Sequence, residues 1–221
     1  MLQAVIINVR GGRINIAIII LAAGMSSRMG EFKPLLPVGG QSAVLRVIHT
    51  AVTAGIQEII VVSGHLFNRV ADMLSNEAPN VRVVFNSRYE DGMFSSVCTG
   101  ISALPNGIDG FFLIPADCCA VSASTLTSLV NAFEKAGTEA SAHPTYKGKR
   151  GHPPLIPADY AGRIITYSGE CGLKGSLDTL QSFEVEVDDP GILLDMDTPD
   201  DYTALLAYLD MPAQDERKTG D

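Results

Sequence analysis

The sequence predicts an α/β fold with a doubly wound, three-layer, mostly parallel sheet of the Rossmann-like type. Apolar strand patterns alternate with helical patterns along the chain, which is the βαβ order of a parallel sheet. Residues 16–21 are apolar throughout, as expected for a strand covered on both faces. Because no internal repeat or linker interrupts the alternation, we predict a single domain over residues 15–210, with residues 1–14 as a leader and 211–221 as a tail outside the core.

Each predicted element has its own local signal. The predicted strands are short apolar runs at residues 16–21, 58–63, 81–85, 110–115, 139–144, 154–157 and 182–187. The predicted helices have apolar residues three and four positions apart or an N-cap signal, at residues 42–54, 67–75, 95–104, 122–136 and 199–209. Gly55 ends the first helix, Ser95 or Ser96 caps the third, and Pro199 opens the last.

Composition excludes several classes of function. The net charge is −9, so the surface repels the phosphates of nucleic acids and membranes, and we expect binding to neither. The longest apolar run, residues 16–23, is much shorter than the ~20 residues of a membrane span. The four cysteines form no CxxC pair, which favours reduced, mostly buried thiols in a cytoplasmic protein.

The first predicted strand runs into a loop that could bind phosphate. In a doubly wound sheet the ligand lies beyond the carboxyl ends of the strands, here after Leu21, Ser63 and Ile114. The loop after Leu21 is rich in glycine and small residues, so its backbone N–H groups could cradle phosphate oxygens while Arg28 and Lys33 supply positive charge. The alternative is a glycine-rich turn with solvated basic residues.

The segment LAAGMSSRMGEFKPLLPVGG resembles the signature LAAGxSxRMGxxKxLLPxxG of the MobA-like nucleotidyltransferases, and most closely the cytidylyltransferase branch that acts on the molybdenum cofactor. The resemblance extends from about residue 16 to residue 209. It implies the Rossmann-like fold of that family, and transfer of a nucleoside monophosphate to the phosphate of molybdopterin with release of pyrophosphate. It also implies catalytic roles for Arg28 and Lys33, and nucleotide binding by residues of the loop: Leu21, Ala22, Ala23, Gly24, Ser26 and Lys33.

Two acidic segments resemble the metal site of the same family. Asp117 follows a predicted strand, where an aspartate is more often a turn or cap residue, but Pro115-Ala116-Asp117 resembles the family's PADxPxV motif. That motif's proline is missing here, in the run Cys118-Cys119-Ala120-Val121. DMDTPDD resembles DxDTPED, which implies a Mg²⁺ cofactor held by Asp117 and Asp197, with Asp195 beside them. Asp197 or Thr198 could instead only cap the last helix.

Further nucleotide contacts are implied at two segments. The run from Asn86 to Ser96 resembles the family's NxxxxxGMxxS pattern, so Asn86, Gly92, Ser95 and Ser96 are candidate nucleotide-binding residues, although Ser95 could simply cap a helix. A second strand ends at Ser63-Gly64-His65, and we assign Ser63 and Gly64 to the same site.

The acceptor site is predicted at Arg150, Gly151, His152 and Pro153, which resemble the family's GHPxL segment. Lys147, Lys149 and Arg150 form a basic patch in an acidic chain, which could attract an anionic acceptor or could be a solvated hairpin tip. Residues 169–174 depart from the family's GDxGAR pattern, so they carry no assignment.

These features together predict transfer of CMP from CTP to a phosphate acceptor, with molybdopterin as the acceptor that the resemblance implies. The methyl group of Ala23, where the guanylyl branch has glycine, favours a pyrimidine over a purine. Other acceptors stay open, among them a sugar-1-phosphate, phosphocholine and methylerythritol phosphate, as does a non-catalytic molybdenum cofactor carrier. If molybdopterin is the acceptor, the predicted partner protein is a molybdenum hydroxylase.

Overall fold

The computed structural model describes residues 14–26 and 29–210 of the 221-residue chain. The predicted catalytic Arg28, the predicted tail and all but the last residue of the predicted leader lie outside the described residues. Within them, the strands are β1 (Ile16–Ala22), β2 (Pro37–Val38), β3 (Gln41–Ser42), β4 (Glu58–Ser63), β5 (Arg82–Phe85), β6 (Gly110–Pro115), β7 (Ser141–Tyr146), β8 (Lys149–Arg150), β9 (Leu155–Pro157) and β10 (Ser182–Glu186). The α-helices are α1 (Ala43–Thr53), α2 (Phe67–Glu77), α3 (Met93–Ser102), α4 (Ala123–Lys135), α5 (Ala161–Ile165), α6 (Gly172–Asp178) and α7 (Pro199–Leu209).

The main sheet has the strand order β10-β7-β9-β6-β1-β4-β5, with β8 paired to β7. β1 lies at its centre, parallel to both β4 and β6. β9 is antiparallel to β6 and β7, whereas β10 is parallel to β7. The prediction of a doubly wound, mostly parallel α/β sheet is confirmed, and the carboxyl ends of β1, β4 and β6 meet at one edge.

The side chains of β1 alternate between two buried clusters. Ile18 and Ile20 lie in the cluster that includes residues of α1, α4 and α7. Ala17 and Ile19 lie in the other cluster, with residues of α3 and α5. Because both faces of the strand are covered, an unbroken apolar run is needed here, which explains the signal in the sequence.

The structure corrects the predicted start of the third helix. We expected residues 95–104 with Ser95 or Ser96 as cap, but α3 begins at Met93 with Gly92 at the N-cap position. Gly92 has φ +97°, a conformation that favours glycine, and the Ser95 hydroxyl donates to the Gly92 carbonyl from within the first turn.

Several short elements are absent from the sequence prediction. These are the β2–β3 hairpin, β8, α5 and α6. Among the helices of the described residues, none is long and apolar enough to cross a membrane.

Candidate active site

A cavity of about 370 Å³ opens at the carboxyl ends of β1 and β6. Residues of the predicted phosphate loop form one wall, and residues that precede and begin α3 form another. The lining residues are Leu21, Ala22, Ala23, Gly24, Met25, Ser26, Lys33, Pro34, Tyr89, Glu90, Gly92, Met93, Ser96, Pro115, Ala116 and Asp117. The cavity therefore lies where an open α/β sheet binds its ligand.

The loop after β1 is closed by contacts with Ser26. The Lys33 backbone N–H donates to the Ser26 hydroxyl at 3.1 Å, and the Met29 N–H donates to the Ser26 carbonyl at 3.0 Å. A Cβ atom placed on Gly24 would meet nothing within 4 Å. Glycine at this position therefore relieves no internal clash, and the missing side chain leaves room beside a cavity that could admit a phosphate group.

Lys33 joins the two acidic segments. Its ammonium lies 2.9 Å from Oδ2 of Asp117 and 2.6 Å from Oδ1 of Asp197. Burial lowers the pKa of Lys33, but the hydrogen bonds and charges of Asp197 and Asp117 outweigh it, so the net pKa is raised. Residues that are 164 positions apart in the chain thus converge on one cationic group beside the cavity.

Asp195 adds a third negative charge at this place. Partial burial, followed by the charges of Asp197 and Asp117, raises the pKa of its carboxyl group. Within residues 14–26 and 29–210, no group of three or more His, Cys, Asp or Glu side chains is arranged to hold a metal ion. The structure brings the Asp117 and Asp197 side chains to one ammonium group. The assignment of Asp117, Asp197 and Asp195 as metal ligands stays a prediction.

The two cysteines after Asp117 are buried in the core. Burial, and then the charge of Asp117, raises the pKa of the Cys118 thiol well above its ordinary value, and burial raises that of Cys119 to about 11. The Cys118 thiol donates to Oδ1 of Asp117 at 3.9 Å. Neutral thiols thus fill the position of the missing proline, and Arg46 holds the loop through the Cys119 carbonyl at 3.0 Å.

Among the predicted nucleotide-binding residues outside the first loop, Gly92 and Ser96 line the cavity, and the other four are not among its lining residues. Asn86 donates to the hydroxyls of Ser95 and Ser96 at 2.9 and 3.0 Å. Ser63 is fully buried. A Cβ atom on Gly64 would lie 2.4 Å from Cβ of Tyr89. Gly64 thus allows Tyr89 to pack closely, and direct nucleotide contacts by Ser63, Gly64, Asn86 and Ser95 stay predictions.

Two of the predicted acceptor residues, Gly151 and His152, are held by backbone hydrogen bonds. The Gly151 N–H donates to the Pro144 carbonyl and the His152 N–H to the Ile192 carbonyl, both at 2.9 Å. Desolvation lowers the pKa of the His152 ring, and the charges of Asp117 and Asp195 oppose that shift.

The other two predicted acceptor residues lie differently. Arg150 extends towards β10, where Nη2 is 3.3 Å from the Ser182 hydroxyl and Nε is 4.0 Å from Glu184. Pro153 is buried. Acceptor binding by these two residues stays a prediction, and within the described structure Arg150 interacts with the edge strand.

Seven residues that line the cavity were not assigned to the site from the sequence: Met25, Pro34, Tyr89, Glu90, Met93, Pro115 and Ala116. Met25 and Pro34 belong to the first loop, Pro115 and Ala116 directly precede Asp117, and the other three lie in the segment from Asn86 to Ser96 that was assigned to the nucleotide. No sequence signal marked Tyr89, because its close packing on Gly64 is visible only in the structure.

Comparison with known proteins gives concordant matches. A model of the MobA-like NTP transferase domain matches residues 18–184. The molybdenum cofactor cytidylyltransferase of Escherichia coli K12 is 30% identical over 190 residues, which cover 83% of this chain and 92% of that protein.

Two solved structures share the fold over most of the chain. A complex of Rv0371c from Mycobacterium tuberculosis H37Rv with manganese matches with a TM-score of 0.67 at 23% identity, covering 89% of this chain and 100% of that one. The CTP:phosphocholine cytidylyltransferase LicC of Streptococcus pneumoniae matches with a TM-score of 0.66 at 20% identity, with coverage of 89% and 100%. At these identities both show similarity of fold alone.

Proposed function

The chain belongs to the MobA-like NTP transferase family and is a nucleotidyltransferase, and from this premise we propose that it transfers CMP from CTP to the phosphate of molybdopterin with Mg²⁺ as cofactor. The observation that carries the proposal is the convergence of Asp117 and Asp197 on Lys33 beside the phosphate-loop cavity. A turn aspartate and a helix cap would have no reason to meet at such a cavity, whereas a site for a metal-bound triphosphate needs both charges there.

The residues present fit a magnesium ion. Oxygens of Asp117 and Asp197 lie within 3 Å of the Lys33 ammonium. Asp195 interacts electrostatically with both carboxylates and adds a further negative charge to the site. Mg²⁺ prefers one or two carboxylates together with phosphate oxygens and water. Asp117 and Asp197 would hold it, and when bound it would neutralise charge on the triphosphate.

In the proposed reaction an ionised phosphate oxygen of the acceptor attacks the α-phosphorus of CTP. A new P–O bond forms, the bond between the α-phosphorus and the oxygen that bridges to the β-phosphorus breaks, and its electron pair leaves with pyrophosphate. Because the nucleophile is already ionised at neutral pH, no strong general base is needed, and catalysis is mainly positioning and charge stabilisation. The loop from Leu21 to Ser26 would bind the triphosphate, and Lys33 would stabilise the departing charge.

The preference for CTP is proposed from Ala23. Ala23 lines the cavity but is only 3% exposed, so little of its surface could contact a nucleotide. We propose that its methyl group acts by reducing the width of the base pocket. A purine needs more space than a pyrimidine, so the methyl group should disfavour GTP and ATP.

Pyrophosphate release with CTP, GTP and ATP tests this proposal, each measured with Mg²⁺ and molybdopterin and again with phosphocholine or a sugar-1-phosphate. We expect CTP with molybdopterin to give the highest rate, and chelation of the metal to abolish it. Ala23→Gly should raise the rate with GTP relative to CTP, while Ala142→Gly, at a buried alanine of β7 that does not line the cavity, serves as the matched control. Equal use of the three nucleotides would remove the base assignment, and absence of pyrophosphate release with any acceptor would favour a non-catalytic carrier.

A further inference from the structure

Asp189 is a buried carboxylate that accepts its hydrogen bonds, among the residues that the structure describes, from backbone N–H groups and hydroxyls. Its side chain is 5% exposed. Oδ2 accepts from the Ser122 N–H at 2.9 Å, the Ser122 hydroxyl at 2.8 Å and the Thr125 hydroxyl at 2.6 Å. Oδ1 accepts from the Gly191 N–H at 2.9 Å. Three of these bonds reach Oδ2 and one reaches Oδ1, and together they offset the cost of burying the carboxylate.

One side of this cluster fixes the chain that follows Asp117. Ser122 is the N-cap residue of α4, and only four residues separate it from Asp117. The backbone of this loop also packs directly on the turn after Asp189, since a Cβ atom on Gly191 would lie 2.3 Å from the Ala120 carbonyl oxygen. Asp189 therefore holds the loop that begins with a proposed metal ligand.

The other side of the cluster fixes the predicted acceptor loop. Asp189 caps the short 3₁₀ helix Pro190–Leu193 through the Gly191 N–H. The Ile192 carbonyl at its end accepts from the His152 N–H at 2.9 Å. A Cβ atom on Gly151 would lie 2.3 Å from the same carbonyl oxygen, so the two segments are in tight contact.

The same short helix leads into the second acidic segment. Leu193 is its last residue, and Asp195 and Asp197 follow two and four residues later. One buried side chain thus joins the three backbone segments that carry Asp117, His152 and Asp197.

We propose that Asp189 is a positioning residue, which sets the distance between the acceptor loop at Gly151–His152 and the carboxylates at Asp117 and Asp197. This inference rests on the proposed function, because it assigns the acceptor to that loop and the triphosphate to those carboxylates. The rate of an in-line transfer depends steeply on this distance, since small misplacements of reacting groups have large effects. Asp189 contacts neither substrate and acts through the Ile192 carbonyl and the Ser122 cap.

Asp189→Asn tests the proposal. An amide nitrogen cannot accept a hydrogen bond, so either the Ser122 or the Gly191 backbone N–H loses its partner while side-chain volume is kept. We expect kcat to fall and the acceptor KM to rise, with kcat/KM for the acceptor lower by roughly 10- to 100-fold. The dissociation constant of CTP, measured by calorimetry without acceptor, should stay within about twofold, because the ion pairs with Lys33 still hold Asp117 and Asp197 in place.

The neighbouring Asp188→Asn is the matched control, since Asp188 is exposed and its change removes the same charge. A folded Asp189→Asn enzyme with wild-type kcat and acceptor KM would overturn the proposal, as would an equal loss of CTP binding and acceptor use. If this variant does not fold, Thr125→Val removes one of the four bonds and should show a smaller change in the same direction. An unchanged acceptor KM in folded Thr125→Val would overturn the proposal as well.

Failure of the proposed function is distinguishable from failure of this inference. Wild-type protein that releases no pyrophosphate with any acceptor contradicts the proposed function itself. If the wild-type protein uses a different phosphate acceptor, the Asp189→Asn variant is compared with wild type using that acceptor. We then expect the same result, a lower kcat/KM for the acceptor with CTP binding unchanged.

Discussion

At the scale of single residues, the site depends on which side chains meet at Lys33. The motifs pointed to Asp117 and Asp197, because an acidic residue directly after a buried strand and an acidic segment before a helix are visible in the sequence. The resemblance implied that Asp117 and Asp197 meet at one metal site, but their contacts with the Lys33 ammonium at 2.9 and 2.6 Å could not be predicted, since they depend on contacts across 84 and 164 positions of the chain. Asp189 belongs to no motif in the sequence. Its role is recognisable only from the hydrogen-bond donors that surround its carboxylate in the structure.

Asp117→Asn gives the first prediction at this scale. The amide is nearly isosteric but carries no charge, so it should leave the fold intact and lower turnover with CTP by about 100-fold or more, in the range seen when electrostatic groups are removed from active sites. Steady-state pyrophosphate release and circular dichroism measure the two effects.

Asp200→Asn is the control for that variant, because Asp200 is exposed in the first turn of α7 and lies away from Lys33. It should keep wild-type turnover. Near-normal turnover in Asp117→Asn would contradict the role assigned to this carboxylate.

At the scale of elements, several bounds were predicted correctly, whereas the buried strand β7 begins and ends two residues later than the predicted 139–144. The bounds of β4, β6 and α7 agree with the sequence prediction, because unbroken apolar runs and the Thr198-Pro199 cap are strong local signals. Thr198 and Asp201 form a reciprocal capping box at α7, which settles the choice between Thr198 and Asp197 as the cap. The short helices α5 and α6 were missed, since five and seven residues are too few to show helical periodicity.

β7 carries a pH-dependent contribution to stability. His143 is buried in this strand, and burial, followed by the charges of Arg150 and His152, lowers its pKa to about 4. Because the folded pKa is below the unfolded value, the unfolded state binds the proton first, so this stability is present above about pH 6.5 and is lost as the pH falls towards 4. The shift corresponds to a loss of about 2 kcal/mol between pH 7 and pH 5.

Urea unfolding of the wild type and of His143→Gln at these two pH values measures that contribution. The variant should lose less stability on acidification than the wild type by about this amount. His49→Gln, at an exposed position in α1, should behave as the wild type does. An identical pH dependence of wild type and His143→Gln would show that His143 makes no such contribution.

At the scale of the whole molecule, the strand order places the parts of the site. β1 lies between β4 and β6, so the phosphate loop and Asp117 emerge side by side from adjacent parallel strands. The parallel core was predictable from the alternation of strands and helices. The insertion of antiparallel β9 between β6 and β7 was not, because only long-range pairing decides it.

This order also places the proposed acceptor loop at the same edge of the sheet. β9 runs antiparallel, so the segment that enters it from Gly151 to Pro154 starts at the same edge as the carboxyl ends of β1 and β6. The two proposed substrates therefore approach one edge of the sheet from adjacent loops, which is the arrangement a transfer between them requires.

The central claim, transfer of CMP to an acceptor phosphate, is tested most directly by the fate of labelled phosphate. The protein is incubated with Mg²⁺, molybdopterin and CTP labelled at either the α- or the γ-phosphorus. We expect the α-label in a conjugate with the acceptor and the γ-label in pyrophosphate, in equal amounts. Transfer of the γ-label to the acceptor, or release of pyrophosphate with the α-label left in free CMP, would contradict the claim.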